Sequence, residues 1–188
     1  MAVQVVRAGD RRRVPWRNGA GTTEEIATGP CGGDGRPLWR LSLADLGADP
    51  SEFSAFPGID RIFTVIGEHG VGLDTGRGPD SVDPWHPHPF AGEDAPRCEP
   101  QGTTRAFNVM TDRGGATATV TYLSLDTEFV TRPDGITALY VRSGTVHAAT
   151  ECAATGDCIL IRDEAITMRG TSATGLLVHI RPTAPFLP

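Results

Sequence analysis

The sequence predicts an almost entirely β-sheet protein made of two similar barrel halves, with little helix. Turn signals recur at roughly ten-residue spacing, as in a barrel or sandwich, because 23 glycines and 15 prolines are spread along the 188 residues. Between the turns, large apolar residues alternate with polar ones, which is the period of a strand. Helix is limited to single turns, for which residues 22–28 and 50–56 are the candidates.

Seven segments show this alternation: residues 39–44, 61–66, 105–110, 116–125, 136–142, 158–162 and 175–180. Three short patterns recur in the same order, beginning at residues 41, 59 and 107 in the first half and at 123, 136 and 177 in the second. The repeat predicts a duplicated β unit with halves at residues 1–115 and 116–188. Residues 74–90, rich in Pro, Gly and Asp, are expected to form a long loop.

The composition excludes several classes of function. A net charge of −6 argues against nucleic acid as a partner, since phosphate binding needs a basic face. The arginines at positions 7, 11, 12, 13 and 17 form a solvated, arginine-rich arm, or one or two of them bind an anion. Every basic residue other than histidine is arginine, so Schiff-base chemistry through lysine is excluded.

No apolar run approaches the roughly 20 residues of a membrane helix, and no secretory signal is apparent, so we expect a cytoplasmic protein without a membrane partner. The four cysteines have no CxxC spacing, and we expect inert thiols.

The segment VPWRNGAGTTEEI at residues 14–26 concentrates polar groups around a glycine bend. Asn18, Thr22 and Glu25 supply donors and acceptors there. The segment lines a small polar-ligand pocket, or it is a glycine-rich turn with polar capping; the residues alone leave both open.

Three further motifs carry polar residues on predicted strands: WRLSLA at 39–44, FSAFPGIDR at 53–61 and RAFNVMTDR at 105–113. Arg40 needs an anionic partner if it points into a barrel, either Glu25, Asp60 or a ligand carboxylate; otherwise it faces outward. Asp60 and Arg61 face opposite sides of one strand, so at most one of them enters the barrel. Asn108 is either an inward amide or an outward side chain.

These four motifs, in this order, resemble the HutD/Ves family of cupin-like proteins. The likeness covers residues 14–113, with Ala20 in place of a usual glycine and a proline-rich segment around His86 as departures. The resemblance implies a cupin-like double β-barrel (bicupin) and an association with bacterial histidine utilisation. It also implies binding of a small carboxylate or formylated amino acid such as N-formylglutamate, with a regulatory role.

We therefore expect a non-enzymatic small-molecule binding protein whose partner is a small anionic metabolite, with no catalytic residue and no cofactor; a homodimer is an open option. The expected ligand-binding residues are Asn18, Thr22, Glu25, Arg40, Asp60, Arg61 and Asn108. These residues could instead form a structural polar network that knits the N-terminal segment to the barrel.

The alternative function is a metal-dependent cupin enzyme of the isomerase or dioxygenase type. His86, His88 and Glu93 have the ligand types for Fe, Mn or Zn. Prolines interleave with these histidines, so the segment is expected to be a loop or an edge strand. A third option is an interaction protein without a ligand.

Overall fold

The computed structural model describes residues 3–15 and 21–183, and within them the chain is all-β with almost no helix. The strands before residue 115 are β1 (Val3–Val6), β2 (Arg13–Pro15), β3 (Gly21–Thr28), β4 (Trp39–Leu46), β5 (Ser51–Glu52), β6 (Ile59–Val65), β7 (Val71–Asp74), β8 (Pro79–Val82), β9 (His88–Ala91), β10 (Arg97–Pro100) and β11 (Thr104–Asp112).

The later strands are β12 (Ala116–Leu125), β13 (Phe129–Val130), β14 (Ile136–Ala148), β15 (Glu151–Ala154), β16 (Cys158–Arg162) and β17 (Thr167–Pro182). Two short 3-10 turns lie at Ala8–Asp10 and Gly92–Asp94. In the described ranges, no helix is long and apolar enough to cross a membrane.

The chain forms two compact units, Arg12–Ala116 and residues 1–11 together with 117–188. In the second unit the strand order is β1-β16-β14-β17-β12, with β13 added beside β17 and β15 beside β14. Strand β1 belongs to this unit because it pairs antiparallel with β16, with Val3 opposite Ile161. Its core contains Leu139, Val141 and Ile159.

The unit formed by Arg12–Ala116 contains two antiparallel sheets. One has six strands in the order β2-β3-β4-β11-β6-β9, and the other has four in the order β5-β10-β7-β8. Both contribute to one apolar core, for example Phe63 and Val65 from the six-stranded sheet and Val71 and Leu73 from the four-stranded one. None of the sheets closes on itself in the part of the chain that the structure describes.

Three sequence-based expectations are wrong in this unit. Residues 50–56 contain the short strand β5 and an irregular segment rather than a helical turn. Residues 22–28 form most of strand β3 rather than a helical turn, because β3 pairs with β2 on one side and β4 on the other. Residues 74–90 are not one long loop, since they contain β8 and the start of β9. The Asp74 side chain accepts hydrogen bonds from the backbone of Gly76 and Gly78, which closes a hairpin between β7 and β8.

The expected loop-or-edge position of the proline-rich segment is confirmed. Strand β9 lies at the edge of the six-stranded sheet and contains Pro89, opposite Ile62. Proline lacks the N–H that a central strand needs.

Gly92 is predicted to be required for the turn after β9. A Cβ atom at this position would lie 2.5 Å from the carbonyl oxygen of Phe56 and 2.8 Å from that of Ile59. Gly92→Ala should therefore lower the free energy of unfolding by about 1–3 kcal/mol through overpacking, as measured by urea denaturation. The control is Gly33→Ala, where nothing lies within 4 Å of the added atom. Equal urea midpoints for the two variants would contradict this prediction.

Candidate functional site

A cavity of about 650 Å³ lies against one face of the six-stranded sheet, inside the unit Arg12–Ala116. Strands β2, β3, β4, β6 and β11 form its wall, together with β5 and the segment that follows it. Alternation along each strand decides which side chains face it. The cavity-lining residues of the three central strands include Arg40, Ser42, Arg61, Phe63, Asn108 and Met110.

The strand register places these side chains in two adjacent rows. Asn108 on β11 is opposite Ser42 on β4 and Phe63 on β6. Met110 is opposite Arg40 on one side and Arg61 on the other. Because neighbouring strands are about 4.8 Å apart, the Cα atoms of Arg40 and Arg61 are separated by about 10 Å, with β11 between them.

Arg61 is buried, with 7% of its surface exposed. Its Nη2 donates a hydrogen bond of 2.9 Å to Asn108 Oδ1. The guanidinium carbon lies 4.9 Å from the ring centres of both Phe53 and Phe90, and 5.8 Å from that of Phe56. Burial lowers the pKa of Arg61 to about 10, so the side chain stays charged at neutral pH.

Within the described ranges, no carboxylate forms an ion pair with Arg61, and its Nε has no hydrogen-bond partner. A buried charge without a counter-ion is costly, and the rings and the Asn108 amide offset only part of that cost. An arginine of this kind at a cavity wall is suited to a carboxylate, which a guanidinium holds with two parallel hydrogen bonds.

Arg40, by contrast, has a carboxylate beside it. Its Nε lies 3.3 Å from Glu25 Oε2, and both side chains line the cavity. The contact is electrostatic rather than a well-formed hydrogen bond, because Arg40 Nε has no hydrogen-bond partner. The two side chains are 35% and 50% exposed.

The structure brings four of the seven predicted site residues to the cavity: Glu25, Arg40, Arg61 and Asn108. Asn18 lies outside the described residues. Thr22 and Asp60 do not line the cavity.

Thr22 and Asp60 have partners elsewhere. Thr22 donates to Asp45 Oδ2 at 2.8 Å. Asp60 accepts from Arg113 Nε at 2.8 Å and is half exposed. Alternation allows only one of Asp60 and Arg61 to face inward, and Arg61 is the one that lines the cavity.

Glu24 lies between two arginines and is 8% exposed. Its Oε1 is 2.7 Å from Arg13 Nε and 2.6 Å from Arg105 Nη2. Asp45 contacts the same two arginines, at 3.0 and 2.9 Å. Burial alone raises the pKa of Glu24, but the hydrogen bond from Arg13 and the positive charge of Arg105 outweigh burial, and the pKa lies below its ordinary value of 4.5. These four charged side chains form ion pairs that connect β2 and β3 with β4 and β11.

Sequence reasoning missed several wall residues. Ser42, Phe53 and Phe56 line the cavity and belong to the motifs at residues 39–44 and 53–61. Only the charged residues of these two motifs were predicted to bind the ligand. The signal was available for Ser42, which alternation places on the same face as Arg40. Phe90, which contacts Arg61 without lining the cavity, gave no such signal, because residues 74–90 were expected to be a loop.

The residues predicted for the alternative metal site do not fit one. His86 Nδ1 lies 3.0 Å from the carbonyl oxygen of Pro84. Glu93 makes a two-pronged ion pair with Arg113, and these hydrogen bonds lower the pKa of Glu93 to about 2. Over the residues with described coordinates, no three His, Cys, Asp or Glu side chains form a group that could hold a metal ion.

Comparison with known proteins gives a family match over most of the chain. The HutD family profile matches residues 8–179. A Pseudomonas putida protein, described as an uncharacterised 21.2 kDa protein in the hutC 3' region, is 37% identical over 110 residues, 57% of each chain. Protein Ves of Cronobacter sakazakii is 36% identical over 117 residues, covering 59% of this chain and 63% of that protein. The chain thus spans less than two thirds of either relative.

Solved structures agree with this match over a longer span. HutD from Pseudomonas fluorescens SBW25, in a formate condition, superposes with a TM-score of 0.83 at 26% identity, over 97% of this chain and 100% of that one. A cupin 2 conserved barrel domain protein from Leptotrichia buccalis gives a TM-score of 0.55 at 10% identity, over 86% and 88% of the chains. The second likeness concerns the fold alone, which is cupin-like.

Glu24→Gln should destabilise the protein at neutral pH. Removing the charge between Arg13 and Arg105 should lower the free energy of unfolding at pH 7 by about 1–3 kcal/mol, as for a hydrogen bond to a charged group. Because the folded pKa of Glu24 is lowered, its stabilisation is present above about pH 4.5 and is lost as the pH falls through the folded value.

Urea denaturation from pH 7 to 3 measures this effect, and the difference between wild type and Glu24→Gln should shrink in acid. The control is Glu68→Gln, at an exposed position. A constant difference across this pH range would contradict the role of Glu24.

Proposed function

This chain belongs to the HutD family, and we propose that it binds a small carboxylate metabolite in the cavity around Arg61. The observation that carries the proposal is the buried guanidinium of Arg61, which faces the cavity beside Asn108 without an ion-pair partner among the described residues. The carboxylate of a ligand would supply the missing counter-ion.

The cavity also offers neutral donors next to Arg61. Since Asn108 Oδ1 accepts from Arg61, the amide NH₂ of Asn108 remains as a donor. Ser42, directly opposite Asn108 across β4 and β11, adds a hydroxyl that donates or accepts. A carboxylate on Arg61 with a formyl or amide oxygen on Asn108 and Ser42 is therefore the arrangement we propose. Formylated amino acids have both groups, and N-formylglutamate is one candidate.

We further propose a non-enzymatic, regulatory role in histidine utilisation, performed in the cytoplasm. Its support is the family match and the description of the Pseudomonas putida relative as a protein of the hutC 3' region. The double cupin barrel belongs to the same proposal and is supported by the cupin-like neighbours and the ordered sequence repeat. A homodimer stays a prediction, which light scattering of the purified protein would measure.

A panel of small ligands tests the proposal directly. Formate, butyrate, succinate, N-formylglycine and N-formylglutamate should raise the melting temperature, because a ligand that binds only the folded state stabilises it. Butyramide, which has the shape of butyrate without its charge, should not. If none of these carboxylates binds in calorimetry, the proposal is wrong. Stoichiometric Fe, Mn, Ni or Zn in protein purified without chelator would favour the enzyme alternative.

Two substitutions at the cavity wall should remove binding in different ways. Arg61→Met should weaken butyrate binding by about tenfold or more, since a charge-assisted pair is lost. Its melting temperature should be unchanged or higher, because a buried unpaired charge is removed. Asn108→Asp places a carboxylate within 2.9 Å of Arg61 Nη2, so it should raise the melting temperature while competing with the ligand.

The control for these substitutions is Arg97→Met on β10, in the four-stranded sheet. Arg97 is exposed and contacts Glu99 at 3.0 Å. This variant should bind butyrate as the wild type does. Undiminished butyrate affinity in folded Arg61→Met would rule out Arg61 as the carboxylate ligand.

A further inference from the structure

We propose that Arg40 is the receptor for a second carboxylate of the ligand, and that Glu25 occupies the Arg40 guanidinium until the ligand binds. The ligand class is then a dicarboxylate, held by Arg61 at one end and by Arg40 at the other. This inference rests on the proposed function, because it takes Arg61 as the receptor of the first carboxylate. It adds the residue that distinguishes a dicarboxylate from a monocarboxylate.

The two arginines lie in one row across the six-stranded sheet. Met110 on β11 is opposite Arg40 on β4 and Arg61 on β6, and all three side chains line the cavity. Because two guanidinium groups on long side chains share a span of about 10 Å between Cα atoms, a small molecule with two carboxylates can contact both. In the next row, Ser42 and Asn108 remain available to a formyl or amide oxygen of the same ligand.

The contact between Arg40 and Glu25 leaves hydrogen-bonding capacity unused. Arg40 Nε is 3.3 Å from Glu25 Oε2, yet this buried nitrogen has no hydrogen-bond partner. In the strand register Glu25 is opposite Ser42 rather than Arg40, so its carboxylate meets the guanidinium diagonally. A ligand carboxylate that approaches from the cavity does not have this constraint and can accept the two parallel hydrogen bonds that a guanidinium offers.

Glu25 can release Arg40 at little cost. The Glu25 side chain is half exposed and that of Arg40 is partly exposed, and exposed ion pairs contribute little to stability. Water can therefore solvate the Glu25 carboxylate once a ligand has replaced it. The neighbouring Glu24 differs, because it is buried and forms ion pairs with both Arg13 and Arg105.

The other charged residues of the described lining are less suited to this role. Arg12 and Glu52 are both exposed and opposite in charge, so solvent screens them and their contributions offset each other. Glu52 is also opposite Arg97 in the pairing of β5 with β10. Arg40 differs from Arg12 because its Nε is buried at the wall and lacks a hydrogen-bond partner.

Two matched probes test the proposal by calorimetry. N-formylglutamate and N-formylglutamine have nearly the same shape and the same formyl group, but the amide of the second replaces one of the two carboxylates. The wild type should bind N-formylglutamate about tenfold or more tightly, since a hydrogen bond between charged groups is stronger than one to a neutral amide. Equal affinities for the two probes would overturn the role of Arg40 in the wild type itself.

A charge-matched variant isolates the pair. Glu25→Gln/Arg40→Met removes one anion and one cation, so the net charge of the wall is unchanged. Its affinity for N-formylglutamate should fall to within about threefold of its affinity for N-formylglutamine, while its melting temperature stays close to that of the wild type. Glu25→Gln alone should keep or increase the preference for N-formylglutamate, because no protein carboxylate then competes for Arg40.

The control is Glu128→Gln/Arg169→Met, which removes an exposed ion pair of 2.7 Å in the other unit. This variant should keep the wild-type preference for N-formylglutamate.

The possible failures are distinguishable. A preference that survives in Glu25→Gln/Arg40→Met, or that is lost in Glu25→Gln, would overturn the roles of Arg40 and Glu25 while leaving carboxylate binding at Arg61 intact. A wild type that binds neither probe nor any other carboxylate of the panel would overturn both proposals.

Discussion

A guanidinium leaves water only if other groups take the place of its hydration shell, and the environment of Arg61 meets that requirement in part. Phe53 and Phe90 flank the cation at equal distances, and Asn108 accepts one of its hydrogens. These groups come from strands β9 and β11 and from the segment after β5. The turn at Gly92 then matters for the site, because its carbonyl holds the backbone of Phe56 on the same wall.

The six-stranded sheet carries arginine and carboxylate side chains on both faces, but it uses them differently. On one face, Glu24 and Asp45 together neutralise Arg13 and Arg105, and the charges form a closed structural network. On the cavity face, the described residues leave Arg61 without such a partner. The same residue types therefore stabilise one face, and on the other they leave the cation that we propose receives a ligand.

Alternation within strands made much of this site predictable from the sequence. It showed that Asp60 and Arg61 could not share a face, and the structure places only Arg61 at the cavity. The position of Thr22 away from the cavity was not foreseen for a related reason: residues 22–28 were not recognised as a strand, so the face of Thr22 was not considered. The network of Glu24 was beyond prediction because it depends on β2, β4 and β11 meeting β3, which no local pattern contains.

The pairing of β1 with β16 has a consequence for the order in which the chain can fold during synthesis. Val3 lies opposite Ile161, so β1 leaves the ribosome well before its partner strand β16 has been made. Contacts between residues so distant in sequence form slowly. The unit Arg12–Ala116 has all its strands available earlier and can fold first. Strand β1 would then stay unpaired, exposed to chaperones and proteases, until β16 has been made.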